Sequence, residues 1–141
     1  MRTLVIAGAV LAMAGAAQAA GTAQGDWFTL GGLAKVHITP CGATLCGTVV
    51  WMKTPNDPET GKPQRDDKNP DPALRDRAAL GLQILRGMKP VGDGRWADGT
   101  IYDPRSGMTY ASKMSTNADG TLKVEGCIAI LCKAQIWQPA G

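Results

Sequence analysis

The sequence has a single histidine, His37, and none of the short motifs on which common enzyme sites are built. It contains no Gly-x-Ser-x-Gly nucleophile elbow, no phosphate-binding P-loop and no Gly-x-Gly-x-x-Gly opening a helix. One imidazole without nearby carboxylates makes neither a catalytic triad nor a metal site. We therefore interpret His37 as a solvated strand residue, and we predict a protein that is not an enzyme and holds no cofactor or metal.

The chain also lacks a strong surplus of charge. Its 15 Lys and Arg residues face 12 Asp and Glu residues, which gives a net charge of +3. The two signs are mixed along the chain, and no basic stripe is present. These features argue against nucleic acid as a partner.

Only one long hydrophobic run is present, and it lies at the N-terminus. An uncharged stretch from Leu4 to Ala14 follows Arg2, and Ala17 and Ala19 then match the small-x-small pattern of a cleavage site. The run is shorter than the ~20 residues that a membrane span requires. We predict that residues 1–19 are a signal peptide, with an uncleaved anchor as the alternative. Residues 20–141 then form one soluble domain, periplasmic or secreted, with no stable membrane span.

Four cysteines in an exported domain predict disulfides. They form two pairs with the same spacing, and we expect local bridges across two hairpins. The alternatives are bridges between the first pair and the last, and a four-thiolate zinc site, which the spacing and an oxidising compartment disfavour. The residues concerned are Cys41, Cys46, Cys127 and Cys132.

Short segments with alternating polar and apolar residues recur along the chain and are separated by Gly-rich turns. This pattern predicts an all-β fold, an antiparallel up-and-down barrel of about eight strands, because closure leaves no exposed sheet edge. The strand candidates are residues 26–30, 34–39, 45–52, 80–84, 96–102, 108–115, 122–126 and 131–137.

The segment 54–79 interrupts this rhythm, because it carries five prolines and many charges. Loops of this length are usually functional or disordered. Within it, Asp71 followed by Pro72 is typical of the start of a helix, with Asp71 as the N-cap. We expect a short helix over residues 72–77.

Several blocks resemble the domain of unknown function 2147 family across nearly the whole exported part. They are Gly25-Asp26-Trp27, CGATLCGTVVWMK at 41–53, NPDPALRDR at 69–77, GTIYDPRSGMTY at 99–110 and QIW at 135–137. The resemblance implies an exported bacterial protein with a lipocalin-like or streptavidin-like barrel and no established activity. In lipocalin-like barrels a basic residue of the last strand packs over the N-terminal Gly-x-Trp, so the resemblance implies that Lys133 packs over Trp27. Because large aromatic residues generally fill cores, we expect Trp27 to plug the barrel.

Candidate ligand-binding residues come from the signature blocks and the position before the loop. We expect the loop to close one mouth of the barrel, where Arg75 offers a planar fork for a carboxylate, a phosphate or sugar hydroxyls. Capping and turn formation explain the same residues without a ligand. The candidates are Asn69, Asp71, Arg75, Tyr102, Asp103 and Trp51, the last as an apolar floor.

Two classes of function follow. The first is a non-catalytic periplasmic barrel that binds a small molecule at its mouth. The alternative is an envelope structural or interaction protein without a small ligand; a hydrolase that uses paired carboxylates is less favoured. A hollow interior would favour the first class, and a filled one the second.

Overall fold

Eight antiparallel strands close into an up-and-down barrel in the computed structural model, which describes residues 22–141. Each strand pairs with its sequence neighbours, and β8 pairs with β1 to complete the ring, as the alternating pattern predicts. The strands are β1 Gly25–Phe28, β2 Ala34–Cys41, β3 Thr44–Met52, β4 Gln83–Gly92, β5 Arg95–Asp103, β6 Met108–Thr116, β7 Leu122–Ile128 and β8 Leu131–Pro139.

The predicted signal peptide, residues 1–19, lies outside the described residues. Within residues 22–141, no helix has the length and hydrophobicity needed to cross a bilayer. All eight strands and both disulfides fall between residues 25 and 139, so the described part holds the complete barrel.

The fourth strand begins later than the sequence pattern predicts. The alternation starts at Leu80, but Leu80 is exposed and Gly81 has a φ of +88°, which breaks the extended backbone. The strand runs instead from Gln83 to Gly92.

The predicted helix over residues 72–77 is shorter in the structure. A single 3-10 turn covers Pro72–Leu74, and the Asp71 side chain caps it by accepting a hydrogen bond from the Ala73 amide at 3.0 Å. Asp71 and Pro72 therefore mark the start of the turn as predicted. The amides of Leu74 and Arg75 bond to carbonyls three residues earlier, which gives 3-10 rather than α-helical geometry.

The barrel interior is occupied by large apolar side chains. Trp137, Leu85 and Met88 are almost fully buried, and many smaller aliphatic residues surround them. Trp27 is also buried in this core, and its indole N–H donates to the Ala23 carbonyl at 2.8 Å. Burial of these side chains is the main source of stability for such a domain.

The expected contact of Lys133 with Trp27 is wrong. Lys133 pairs with Gly126 near the start of β8, whereas Trp27 pairs with Pro139 at its end. Six residues of extended strand separate the two positions, about 20 Å at 3.3 Å per residue. Lys133 is exposed instead.

Alternating strand directions give the barrel two different ends. At the loop end lie the β1–β2 connection, the long β3–β4 loop, the β5–β6 turn and the β7–β8 turn. At the hairpin end lie the β2–β3, β4–β5 and β6–β7 turns together with the C-terminus. The two ends are referred to by these names below.

The structure contains the two local disulfides, one at each end of the barrel. Cys41–Cys46 is at the hairpin end with a Cα–Cα distance of 5.7 Å, and Cys127–Cys132 is at the loop end with 4.0 Å. Both bridges are local, as predicted, but only the second joins directly opposed residues. Cys127 faces Cys132, whereas Cys41 faces Thr44, so the first bridge runs diagonally between β2 and β3.

Candidate functional site

The long β3–β4 loop packs on the outside of the barrel wall, close to the loop end. Side chains alternate between the two faces of a strand, and the buried Leu122 and Val124 define the inner face of β7. Gly126 continues that face, and a Cβ placed on it would contact Ile101. Ile101 therefore points inward and its neighbour Tyr102 points outward, towards the loop.

Asp66 is the centre of the contact between loop and wall. Its carboxylate is completely buried, and one oxygen accepts the hydroxyl hydrogen of Tyr102. The other oxygen accepts hydrogen bonds from the Asn69 amide at 2.9 Å and from Nε of Arg77 at 2.8 Å. Three donors from the loop and the wall thus converge on one buried charge, which is the condition for stable burial of a carboxylate.

The ionisation of Asp66 and Tyr102 is shifted in opposite directions. Burial alone would raise the pKa of Asp66, but the hydrogen bonds from Tyr102, Asn69 and Arg77, together with the charge of Arg77, hold it below its usual value. Burial and the hydrogen bond to Asp66 raise the pKa of Tyr102 to about 12. At neutral pH the pair is therefore a carboxylate and a neutral phenol.

The same loop also touches the β5–β6 turn at Gly107. A Cβ on Gly107 would lie 2.0 Å from the Lys68 carbonyl oxygen, and the residue has a φ of +74°. Both the space and the backbone conformation require glycine here. This close approach fixes the loop beside the barrel mouth rather than across it.

Between loop and wall lies a cleft of about 170 Å³. The cleft is lined by two guanidinium groups, by side-chain amides and hydroxyls, and by a few apolar side chains. The lining residues are Asn69, Pro70, Arg77, Gln83, Ile84, Arg86, Thr100, Tyr102 and Thr109.

Two arginines give this cleft its positive character. Arg77 is held by Asp66, so its charge is largely balanced. Arg86 faces Thr100 across β4 and β5 and forms no ion pair with any described carboxylate. A planar guanidinium beside amide and hydroxyl groups is suited to binding a carboxylate or a phosphate.

The family of this chain is shown by its sequence. Residues 25–139 match the model of a family of uncharacterized proteins conserved in bacteria, DUF2147. The chain belongs to this family. No curated protein sequence matches it.

Among solved structures, the chain is similar to HP1028 from the human pathogen Helicobacter pylori, which is described as belonging to the lipocalin family. The TM-score is 0.71 at 22% sequence identity, and the match covers 84% of this chain and 82% of HP1028. At this level of identity the likeness establishes the lipocalin-like barrel fold.

In this member of the family, only part of the predicted site comes together at the cleft. Asn69 and Tyr102 line it and share Asp66 as a partner. Asp71 caps the 3-10 turn, and Arg75 donates to the Asn69 carbonyl at 2.8 Å, so both fasten the loop. Asp103 accepts from the Arg105 amide at 3.0 Å within the β5–β6 turn.

Trp51 belongs to a different surface of the barrel. It packs edge-to-face against Phe28 with ring centroids 6.0 Å apart. Nζ of Lys35 lies 5.1 Å from the Phe28 ring and 5.3 Å from the Trp51 ring, which is within the range of cation–π interactions. The structure therefore does not bring Trp51 to the cleft as an apolar floor.

His37 is exposed on a strand as predicted, but it has a carboxylate partner that the sequence spacing did not reveal. Nδ1 of His37 lies 2.5 Å from Oδ1 of Asp26, because β1 pairs with β2 and places the two residues opposite each other. Within residues 22–141, no cluster of three or more His, Cys, Asp or Glu side chains is arranged to hold a metal ion.

Asp66, Arg77 and Arg86 are the cleft residues that the sequence reasoning missed. Asp66 lies in the charged run Arg-Asp-Asp-Lys, and the sequence does not distinguish this buried acid from its solvated neighbour Asp67. Arg86 carried no such signal, because it follows the predicted strand 80–84, whose alternation would place it on the same face as Ile84. In the structure it follows the inward, buried Leu85 and faces outward. Only the packing of the loop turns that outward position into the wall of a cleft.

Proposed function

We propose that this protein is an exported, non-catalytic barrel protein that binds a small anionic molecule in the cleft between the β3–β4 loop and the outer wall. The observation that carries the proposal is Arg86, an arginine without an acidic partner in a cleft lined by amides and hydroxyls. By itself the filled interior favours the alternative without a small ligand, because a ligand inside the barrel would have to displace Trp137, Leu85 or Met88. The proposal therefore rests on the outer cleft alone.

The size of the cleft limits the ligand. About 170 Å³ is below the ~300–1,000 Å³ of pockets that enclose drug-sized molecules. A small carboxylate or phosphate fits this volume, with Arg86 binding the anion and Thr100 and Thr109 available as hydroxyl partners. The Asp66 network would keep the cleft wall rigid, which lowers the entropic cost of binding.

Export is supported by the N-terminal pattern and by the two disulfides, since disulfides persist mainly in oxidising compartments. Cleavage after Ala19 should give a chain that begins at Ala20. The intact mass of the exported protein tests this, and material that retains Met1 to Ala19 in the membrane fraction would contradict it.

Ligand binding is tested by native mass spectrometry of protein purified from its own envelope, followed by thermal shift with acetate, citrate and inorganic phosphate. A ligand at 100 times its dissociation constant stabilises the fold by about 2.7 kcal/mol. Arg86→Ala should abolish both the bound mass and the thermal shift. The matched control is Arg95→Ala, an exposed arginine at the start of β5, at the hairpin end, which should leave both unchanged.

Arg86 is exposed, so its replacement should change the free energy of unfolding by less than about 0.5 kcal/mol. Loss of binding without loss of stability would separate a ligand contact from a structural role. Absence of any bound mass or anion-dependent shift in the unmodified protein would refute the proposal. In that case the filled interior and the exposed apolar residues at the loop end favour an envelope interaction protein without a small ligand.

A further inference from the structure

The loop end of the barrel exposes an unusual number of large apolar side chains. Most of them lie on the connections at that end. Towards the hairpin end the comparable residues are Val91 near the end of β4 and Ile136 in β8. The exposed residues at the loop end are Leu30, Leu33, Leu74, Leu80, Met108, Ile128, Ile130 and Leu131.

The β7–β8 hairpin tip projects furthest. Ile128 is 65% exposed, Ile130 94% and Leu131 76%, so almost nothing in the described chain covers Ile130. Ile128 continues the inward-facing positions of β7 but lies beyond the last packed layer. A tip of this kind is convex. It can insert into a groove on a partner protein or into a lipid layer.

The backbone of this tip is prepared for an apolar environment. The hairpin ladder continues to the pair Ile128 and Leu131, which leaves a two-residue turn, and the Cys127–Cys132 bridge lies directly below it. The ladder thus pairs the backbone of Ile128 with that of Leu131, which lowers the cost of bringing this part of the tip into an apolar environment. The bridge also limits the entropy that ordering the tip on a surface would cost.

The first charged side chain after the tip is a cation. From Gly126 to the C-terminus at Gly141, the only charged side chain is Lys133, immediately after the bridge. A cation next to exposed aliphatic residues complements an anionic bilayer surface, where the apolar groups enter the interface and the ammonium meets headgroups.

We propose that the loop end docks on an anionic lipid bilayer, with the disulfide-closed tip Ile128, Ala129, Ile130 and Leu131 inserted at the headgroup level. This surface is separate from the cleft that contains Arg86. The proposal is therefore independent of the small anionic ligand.

Vesicle flotation tests this with residues 22–141, which hold the complete barrel and exclude the N-terminal hydrophobic run. The vesicles contain phosphatidylglycerol and phosphatidylethanolamine, and a second set contains phosphatidylcholine alone. The protein should float with the anionic vesicles and much less with the neutral ones. The double variant Ile130→Ser and Leu131→Ser should weaken binding at least about ten-fold, because two aliphatic side chains leave the interface.

Val91→Ser is the matched control, since Val91 is 48% exposed at the opposite end, and it should bind as the unmodified chain does. Equal binding of the double variant, or no flotation of the unmodified chain, would overturn the proposal. A concentration-dependent dimer that the double variant abolishes, without vesicle binding, would also overturn it and assign the surface to a second copy of the chain.

Discussion

The two disulfide hairpins have the same Cys-x-x-x-x-Cys spacing but place their apolar residues differently. In the β2–β3 hairpin the turn is Gly42 and Ala43, the bridge is diagonal, and Leu45 beside Cys46 points into the core. In the β7–β8 hairpin the turn is centred one residue later relative to the cysteines, and the bridge joins opposed residues. Its apolar residues lie in solvent. Leu45 and Leu131, each directly before the second cysteine of its hairpin, both lie on the inner face of their strands. Leu131 is exposed because it lies beyond the last packed layer of the barrel.

The difference extends to the two ends of the barrel. The hairpin end is closed by short turns such as the one at Asp119, whose pKa is lowered by hydrogen bonds from Thr121. The loop end carries the buried Asp66 network, the cleft and the exposed apolar tip. One end thus contains the features that suit packing, and the other contains those that suit recognition.

The sharpest test of the hairpin comparison is truncation of one apolar side chain in each. Leu45→Ala removes a buried side chain and should lower the free energy of unfolding by about 2–5 kcal/mol. Ile130→Ala should change it by less than about 0.5 kcal/mol, because Ile130 has almost no contacts to lose. Urea unfolding measures both. Similar losses would mean that the β7–β8 tip is packed in solution.

Asp66→Asn tests the loop end. The amide oxygen can still accept from Asn69 and Arg77, but the NH2 group then faces the Tyr102 hydroxyl and the charge that pairs with Arg77 is lost. We therefore expect a loss of about 3 kcal/mol at neutral pH. The pKa of Asp66 is lowered in the folded state, so its contribution is present above the unfolded value near 3.8 and is lost as pH falls through the folded value. The unmodified protein should therefore lose more stability in acid than Asp66→Asn does.

Amide hydrogen exchange shows which part of the protein loses stability when Asp66 is protonated. Below the unfolded pKa of Asp66, amides of the loop residues 64–79 should exchange faster, whereas those of the β2–β3 hairpin should keep their protection. Equal acid sensitivity at the two ends would show that Asp66 does not hold the loop to the wall.

Removal of each disulfide should have a smaller effect. In the chain-entropy model a bridge across so short a loop contributes about 2 kcal/mol. Replacing Cys41 and Cys46 by Ser should cost more than replacing Cys127 and Cys132, because Cys46 is buried and Cys132 is exposed. Chemical unfolding after non-reducing peptide mapping measures this. A peptide that links residues 41–46 to residues 127–132 would refute the local pairing itself.

Titration of Tyr102 reports directly on the contact between the loop and the barrel wall. The chain has two tyrosines, so Tyr110→Phe leaves Tyr102 as the only phenol. Its absorbance should titrate with a pKa of about 12, and Asp66→Asn should return it towards the ordinary value of 10. The raised pKa also means that stability falls as pH rises from 10 to 12, because the unfolded chain loses this proton first. An ordinary pKa in the folded protein would contradict the contact with Asp66.

Much of the barrel could be predicted from the sequence because strand formation and turn chemistry are local. The alternation in β2, the valines of β3 and the turns near Pro104 and Gly120 mark strands without knowledge of their partners. The late start of β4 could not be predicted, since Gly81 and Leu80 fit the alternation but not the backbone.

The candidate site was predicted only in part, because its residues are assembled by contacts distant in sequence. Asn69 and Tyr102 were identified from their motif blocks. Asp66 and Tyr102 are 36 positions apart and meet only because the loop folds onto the outer wall. The partner of His37 was missed for the same reason, since Asp26 belongs to the adjacent strand.

The sequence by itself determined the all-β barrel, the pairing of neighbouring cysteines and the capped turn at Asp71, because alternation, spacing and capping act over a few residues. Only the tertiary structure decided which face of the wall the long loop covers, which acid is buried, and that one disulfide hairpin packs inward while the other is exposed. These outcomes depend on contacts between segments that are distant in sequence, and on how far each hairpin extends beyond the packed layers of the barrel.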